Sequence, residues 1–292
     1  MKTEDTAPVI KSRSLWQDAR RRLFANRAAT FAFVVLLAII VLAVAGPMFS
    51  SHEFDEISFE TMYQAPTIGG EHLFGTDPLG RDLFTRTMMG ARISLLLGVM
   101  ATLVALVIGV SWGATAGYLG GRVDDLMMRF VDIMYSLPFM FFVIILMVVF
   151  GRNIFLIFVA LGAVEWLTMA RIVRGQTLAL RHREFVEAAV ATGVPTATII
   201  RRHVIPNLLG PVVVYVTLTI PQIILVESFL SFLGLGVQEP LTSWGVLIKE
   251  GADEMETAAW LLIFPAFFLA TTLFCFNFIG DGLRDALDPR DH

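Results

Sequence analysis

The chain has 292 residues, of which 56% are hydrophobic and 16% charged, and its mean hydropathy is +0.71. Soluble domains hold about 45–50% apolar and about 25% charged residues, so this composition excludes an ordinary soluble domain. The net charge of −4 gives no indication of a nucleic-acid partner.

Six apolar blocks approach or exceed the roughly 20 helical residues needed to cross the hydrocarbon layer. They lie at 28–49, 93–119, 130–150, 154–173, 208–235 and 258–279. Each block must be a helix, because lipid offers no partner to unpaired backbone groups. The fifth is long for a straight crossing, and we expect Pro211 and Pro221 to bend or break it. The sequence therefore predicts an all-α polytopic membrane protein with six transmembrane helices.

The basic segment 1–27 precedes the first span and leaves two alternatives open. With the apolar run and Ala43-Val44-Ala45, it imitates a secretory signal and its cleavage site. Its length and the nearby Pro47 argue against cleavage. The residues just before the span form either an interfacial helix or a basic topogenic tail.

Lysine and arginine positions predict the orientation, because cytoplasmic loops carry an excess of both. Seventeen of the 22 lie in segment 1–27, the second connection, the fourth connection or the tail 280–292. Both termini and the fourth connection, at about 174–207, are therefore predicted to be cytoplasmic. The segments 50–92 and about 236–257 are predicted to be periplasmic.

The fourth connection reads as two short helices with a forced break. Residues 187–192 favour a helix, and Gly193 suits the left-handed position at its end. Pro195 suits the first turn of a second helix, which Pro206 is expected to stop or kink. A compact helix-turn-helix beside the bilayer indicates contact with another protein.

The sequence carries no signature of its own catalysis. Its three lysines, Lys2, Lys11 and Lys249, lie outside any glycine-rich phosphate loop, so no Walker A motif is present. The single Cys275 excludes an internal disulfide and a cysteine metal cluster, and the five histidines lack ligand spacing. We predict no catalytic residue, no cofactor and no metal site, and expect another chain to hydrolyse ATP if ATP drives the protein.

Several motifs resemble the peptide and nickel branch of permease subunits of ATP-binding-cassette (ABC) importers. They lie at 75–82, 90–94, 184–189, 227–236 and 243–245. The last two are typical of the C-type partner, and segments 14–20 and 277–289 are most similar to the C subunit of bacterial oligopeptide permeases. Pro195 departs from the pattern, since many relatives have a capping residue there; we expect it to alter the turn more than docking.

The resemblance implies a type I ABC importer permease (MetI-like) fold in the bacterial cytoplasmic (inner) membrane. It implies a second, homologous permease subunit, two cytoplasmic ATPase subunits and an external peptide-binding protein as partners. The implied function is import of short peptides by alternating access, with nickel, glutathione and opines as less favoured cargo. ATP binding would shift the population between two states of the helix bundle.

The resemblance also implies a coupling site on the cytoplasmic loop, the EAA loop, formed by Glu184, Glu187, Ala188, Ala189, Gly193 and Pro206. The carboxylate of Glu187 is expected to pair with an arginine at the rim of the ATPase groove, while Ala188 and Ala189 allow close approach. The plainer alternative for Glu187 is a solvated acid on a helix face.

On the outer side, the resemblance marks a motif formed by Gly75, Thr76, Asp77, Gly80, Arg81, Asp82 and Trp244. We expect the acids and arginines of this motif, together with Arg86, to form local ion pairs; direct contact with the binding protein is the alternative. Trp244 is expected to anchor an outer loop that dips toward the membrane surface.

Three acids lie in predicted spans, where ionised groups are costly. Glu165 and Glu227 are candidates for the passage or its gate, or else bond neighbouring helices. Asp132 is expected to snorkel or to pair with Arg129.

A proton-driven secondary transporter with Glu165 and Glu227 as carriers is a competing class. It predicts inverted repeats with broken helices at matching positions, and the sequence shows no convincing repeat. A scaffold or sensor without transport is a third class. Co-purifying ATPase chains would separate the importer from both.

Overall fold

The computed structural model describes residues 15–151 and 153–287. In these ranges the α-helices are α1 (Leu15–Ala25), α2 (Arg27–Phe49), α3 (Leu83–Leu119), α4 (Gly121–Ser136), α5 (Phe139–Phe150), α6 (Ile154–Leu180), α7 (Glu184–Ala191), α8 (Thr196–Ile199), α9 (Ile205–Phe232), α10 (Trp244–Asp253) and α11 (Trp260–Leu287). A 3₁₀ turn lies at Phe59–Thr61, and a π-helical turn at Ile200–Val204 joins α8 to α9.

Five helical stretches of the described chain are long and apolar enough to cross a membrane: α2, α3, α6, the continuous stretch Thr196–Phe232, and α11. Together α4 and α5 pass the same test, and counting this bent pair as one span gives six. This confirms the predicted all-α, polytopic fold class.

The predicted third span, 130–150, is wrong as a single helix. The chain breaks at Leu137 and Pro138, and α4 and α5 meet at a bend of 78°. A residue before proline is disfavoured in the α region, and Leu137 is extended, with φ −76° and ψ 136°. The 12 residues of α5 reach only about 18 Å, so α5 alone is too short to span the bilayer.

Of the two alternatives predicted for the fifth span, a bend or a break, the break does not occur. Pro211 and Pro221 lie inside α9, which runs unbroken to Phe232. The helix does not stop at Pro206 either, because the π turn leads directly into α9 and Pro206 occupies its first turn. Proline is tolerated in transmembrane helices, where local 3₁₀ and π adjustments satisfy the freed backbone groups.

Close packing of α3 against α6 forms the centre of the bundle. Three glycines spaced four residues apart on α3, Gly109, Gly113 and Gly117, face the backbone of α6. A Cβ atom at Gly109 would lie 2.5 Å from the Cβ of Met169, and one at Gly117 would lie 2.8 Å from the carbonyl oxygen of Arg174. Small residues let transmembrane helices approach in this way.

The basic segment before the first span contains a helix, α1. Its Leu23 lies against α11 beside Gly282, and Asn26 then caps α2 by accepting hydrogen bonds from the amides of Ala28 and Ala29. The described part of the segment is therefore helical, as one of the two alternatives requires.

Candidate functional site

The connection between α6 and α9, which was predicted to be cytoplasmic, has the predicted helix-turn-helix shape. The first helix, α7, ends at Ala191, and Gly193 has a φ of +77° in the left-handed region. This confirms the turn that was predicted for Gly193. Pro195 stands just before α8, with its carbonyl accepting the amides of Thr198 and Ile199.

One face of the loop is anchored in the bundle. Val186 and Ala189 of α7 are 1% and 7% exposed, and they share a buried cluster with residues of α6 and α9. Ile199 and Val204 complete the anchor from the second arm of the loop. The inward position of Ala189 makes it a packing residue of this subunit, rather than a point of close approach for another chain.

The opposite face of α7 is exposed in the described structure. Glu184, Glu187 and Ala188 are exposed there, as a docking surface requires. Beside them Phe185 is 41% and Val190 57% exposed. These two apolar residues were not among the predicted site residues; they could have been recognised because both fall outside the helix stripe formed by Val186 and Ala189. Pro206 is exposed at the start of α9.

Charged pairs tie α4 to α6 near this loop. Asp124, which is buried, accepts two hydrogen bonds from Arg174, at 2.6 and 2.7 Å. Asp132 pairs with Nη2 of Arg171 at 2.7 Å, so the expected pairing with Arg129 is wrong. Because each pair joins residues about 40–50 positions apart, the sequence alone gives little signal for it.

The outer motif is a buried ionic cluster. Oδ2 of Asp77 lies 2.6 Å from Nε of Arg81 and 3.4 Å from Nη1 of Arg86. Its Oδ1 accepts the backbone amides of Leu79 and Arg81. The predicted local ion pairs are confirmed for these three residues. Asp82 instead caps α3, accepting the amide of Thr85 at 2.9 Å, and starts the helix ten residues before the predicted span.

Two acids from distant parts of the chain complete the cluster. Nη2 of Arg86 donates to Glu250 of α10 at 2.8 Å, and Nη1 of Arg81 donates to Glu239 at 3.0 Å. Burial raises the pKa of Glu250, against the lowering effect of the two arginines. Burial alone would lower the pKa of Arg81, but Asp77 and Glu239 outweigh it and the net pKa is raised.

Two glycines make the turn before α3 possible. Gly75 and Gly80 have φ values of +80° and +73°, and a Cβ atom on Gly80 would collide with the carbonyl of Ser58. Thr76 is fully buried, and its hydroxyl accepts the amide of Gln64 at 2.8 Å. These residues of the motif hold the outer loop onto the start of α3.

Trp244 lies inside the subunit. It is 0% exposed, and its indole N–H donates to the carbonyl of Thr87 on α3 at 3.2 Å. The expected position at the membrane surface is therefore wrong. The tryptophan anchors α10 against α3, because a buried indole needs a hydrogen-bond acceptor.

Glu227 lies in a buried network of hydroxyl groups. Ser94 of α3 and Ser231 of α9 donate to its carboxylate, at 3.2 and 2.7 Å. The hydroxyl of Ser94 also accepts the backbone amide of Trp244, and Ser243 donates to Ser231. The acid thus joins α3, α9 and the start of α10. A role at the gate stays a prediction.

Glu165 has a different setting, at a cavity of about 170 Å³ in the bend between α4 and α5. The walls are mainly apolar and aromatic, with Phe139, Phe142 and Tyr135 among them. No hydrogen bond or ion pair joins the Glu165 carboxylate to another residue of the described chain.

Two families match the chain. "Binding-protein-dependent transport system inner membrane component" covers residues 105–290, more than half of the chain, and "N-terminal TM domain of oligopeptide transport permease C" covers residues 14–66. A chain from a solved structure of the MetNI methionine ABC transporter aligns with a TM-score of 0.54, covering 68% of this chain and 94% of the other. At 17% identity it supports the fold alone.

Similar curated proteins cover the same length. The oligopeptide transport system permease proteins OppC of Escherichia coli K12 and Haemophilus influenzae are 58% and 57% identical over 97% of this chain, which is 93% and 91% of their own lengths. The dipeptide transport system permease protein DppC of Bacillus subtilis is 48% identical over 96% of this chain and 87% of its own length. The chain therefore belongs to the family of binding-protein-dependent transport system inner membrane components, in the branch of the C-type peptide permeases.

Proposed function

We propose that this protein is the C-type permease subunit of an ATP-driven importer that moves short peptides into the cytoplasm. The observation that carries the proposal is α7, a helix with one face anchored in the bundle and an exposed face of two acids and two apolar side chains. A surface of this kind suits a groove on another chain. Burial of Phe185 and Val190 would supply affinity, and an ion pair of Glu187 would fix the position of α7 in the groove.

The anchored face explains how force would reach the membrane. Val186 and Ala189 share their buried cluster with Met169 and Val173 of α6 and with Leu208 of α9. A push on α7 is therefore a push on two transmembrane helices, because packed interiors transmit displacement rather than absorb it. In the proposed cycle, nucleotide closes the ATPase pair, draws the loops of two permease subunits together and turns the bundle outward. Hydrolysis by the ATPase subunits reverses the change.

The proposed assembly holds a second, homologous permease, two cytoplasmic ATPase subunits and an external peptide-binding protein. The proposed location is the bacterial inner membrane, with both termini and α7 on the cytoplasmic side. Support comes from the clustering of lysine and arginine and from the names of the similar proteins, which are transport system permeases for oligopeptides and dipeptides. Peptide length and sequence preference are left to the binding protein.

The test is ATP-dependent peptide uptake by the reconstituted complex in proteoliposomes. We expect Glu187→Ala combined with Gly193→Val to abolish peptide-stimulated ATP hydrolysis and uptake while membrane insertion stays normal. Phe185→Ser alone should weaken capture of the ATPase subunits by about thirtyfold, since it removes about 2 kcal/mol of apolar burial. Glu256→Ala, an exposed acid outside the loop, is the matched control and should leave both activities unchanged.

Full uptake by the Glu187→Ala, Gly193→Val protein would refute the docking role of α7. Uptake that stops when an uncoupler is added while ATP is maintained would instead support the proton-driven class. Transport by the purified chain alone, without ATPase subunits, would overturn the proposed function.

A further inference from the structure

The cavity beside Glu165 lies in the bend of the third span. The arm α4 contributes Tyr135, the arm α5 contributes Phe139 and Phe142, and α6 contributes Glu165 and Thr168. The space arises at Pro138, where α4 has ended and α5 begins at an angle of 78° to it. At about 170 Å³ the cavity is smaller than the roughly 300–1,000 Å³ that whole ligands occupy, so it suits one end of a molecule.

The polar groups around the cavity differ in their hydrogen-bond partners. The hydroxyl groups of Thr168 and Tyr135 are 3.1 Å apart and bond to each other. Glu227, another acid inside the bundle, has serine donors for both carboxylate oxygens. No hydrogen bond joins Glu165 to another residue of the described chain, and its electrostatic contact is with the phenol of Tyr215 on α9. An acid at this depth is costly unless it has a counter-charge, and it marks a functional site by default.

The nearest arginine on α6 already has interaction partners. Arg171 lies six positions further along α6, about 9 Å along the helix axis. Its guanidinium pairs with Asp132 at 2.7 Å and stacks on the ring of Tyr135, 4.2 Å from the ring centroid. Arg171 is therefore not free to act as a counter-charge for Glu165, and the carboxylate remains open to a cationic group of a ligand.

We propose that Glu165 receives the α-ammonium group of the peptide during translocation, with the first side chain of the peptide against Phe139 and Phe142. This inference rests on the proposed function, because it takes a peptide as cargo. Peptides of every sequence have a free ammonium group at the N-terminus. A carboxylate that binds this group therefore does not select among peptide sequences. The apolar wall adds contact area without selecting one side chain, since burial of apolar surface is non-directional.

The experiment compares two peptides in proteoliposomes that contain the complete transporter. One peptide has a free N-terminus and the other is its N-acetylated form, each supplied at a concentration that saturates the external binding protein. We expect Glu165→Gln to slow uptake of the free peptide about tenfold, as loss of about 1.4 kcal/mol of charge pairing implies. Uptake of the acetylated peptide should stay at its wild-type rate. Glu165→Asp, which keeps the charge, should restore most of the difference between the two peptides.

An equal loss for both peptides would overturn the proposal. Such a loss, together with less of the second permease recovered with the variant, would assign Glu165 to an ion pair between subunits. Unchanged uptake of both peptides would also overturn it. Wild-type uptake that does not depend on ATP would contradict the proposed function instead, so the two failures are distinguishable.

Discussion

Gly109 offers the sharpest test of how the bundle is held together, through the single substitution Gly109→Ala. The added Cβ would lie 2.5 Å from the Cβ of Met169 and 2.9 Å from the carbonyl oxygen of Trp166. Both of these atoms are fixed by the backbone of α6. Ordinary contact begins at 3.4 Å, so the two helices must separate locally by 3.4 − 2.5, or about 0.9 Å.

The cost follows from close packing. Overpacking a well-filled interior typically destabilises by about 1–3 kcal/mol, because neighbours must leave their preferred positions. Replacing glycine by alanine inside a helix also stabilises the helix by up to about 1 kcal/mol, because alanine has the higher helix propensity. A matched control measures that second effect alone: Gly175→Ala in α6 adds a Cβ that meets nothing within 4 Å.

The assay is thermal unfolding of the detergent-solubilised complex. For about 2 kcal/mol of overpacking, and about 2–4 °C per kcal/mol as in soluble domains of comparable size, we expect the Gly109→Ala midpoint to lie about 4–8 °C below that of Gly175→Ala. Gly175→Ala itself should match or slightly exceed the wild type. Equal midpoints for the two variants would show that α3 and α6 do not pack as closely as described.

Two further substitutions test the outer side. Arg86→Gln should destabilise the protein by about 1–3 kcal/mol, because it removes the nearest counter-charge of the half-buried Glu250 and one of the two arginines that face Asp77; the yield of folded protein after membrane extraction measures this, and a wild-type yield would contradict the cluster. Trp244→Phe keeps the apolar ring but removes the indole donor to Thr87. It should cost about 1–3 kcal/mol, measured as a lower unfolding midpoint with transport retained, and an unchanged midpoint would argue against this bond.

The apolar pattern was sufficient to predict the transmembrane helices. For α2, α3 and α6 it gave spans that lie within the observed helices, because the requirement for internal backbone hydrogen bonds in lipid leaves few alternatives. Gly193 was predictable for a similar reason, since few residues other than glycine adopt its left-handed conformation without strain.

Proline positions were not sufficient to predict where helices break. Pro138 separates two helices, whereas Pro211 and Pro221 lie within one continuous helix. Each proline removes the same hydrogen bond, so the difference comes from tertiary packing. The cavity beside Glu165 exists only because of the break at Pro138, and so it could not be read from the sequence.

Side-chain partners that are distant along the chain could not be predicted from the sequence either. Asp132 had a plausible neighbour in Arg129 but pairs with Arg171 on another helix. Trp244 resembled a surface anchor because tryptophan is common at membrane interfaces, yet it is fully buried. In both cases the decisive neighbour is brought close by the fold, and neither local propensity nor charge spacing identifies it.

The bond between Arg86 and Glu250 also sets an order of biogenesis. The two residues are 164 positions apart, so most of the chain must leave the ribosome before the arginine meets its acid. Until then a nascent chain that has inserted α3 offers Arg86 only Asp77 as a counter-charge, and Asp77 is shared with Arg81. Any product truncated ahead of α10 lacks Glu250 altogether, so Arg86 at the start of its α3 keeps only an acid that it shares with Arg81.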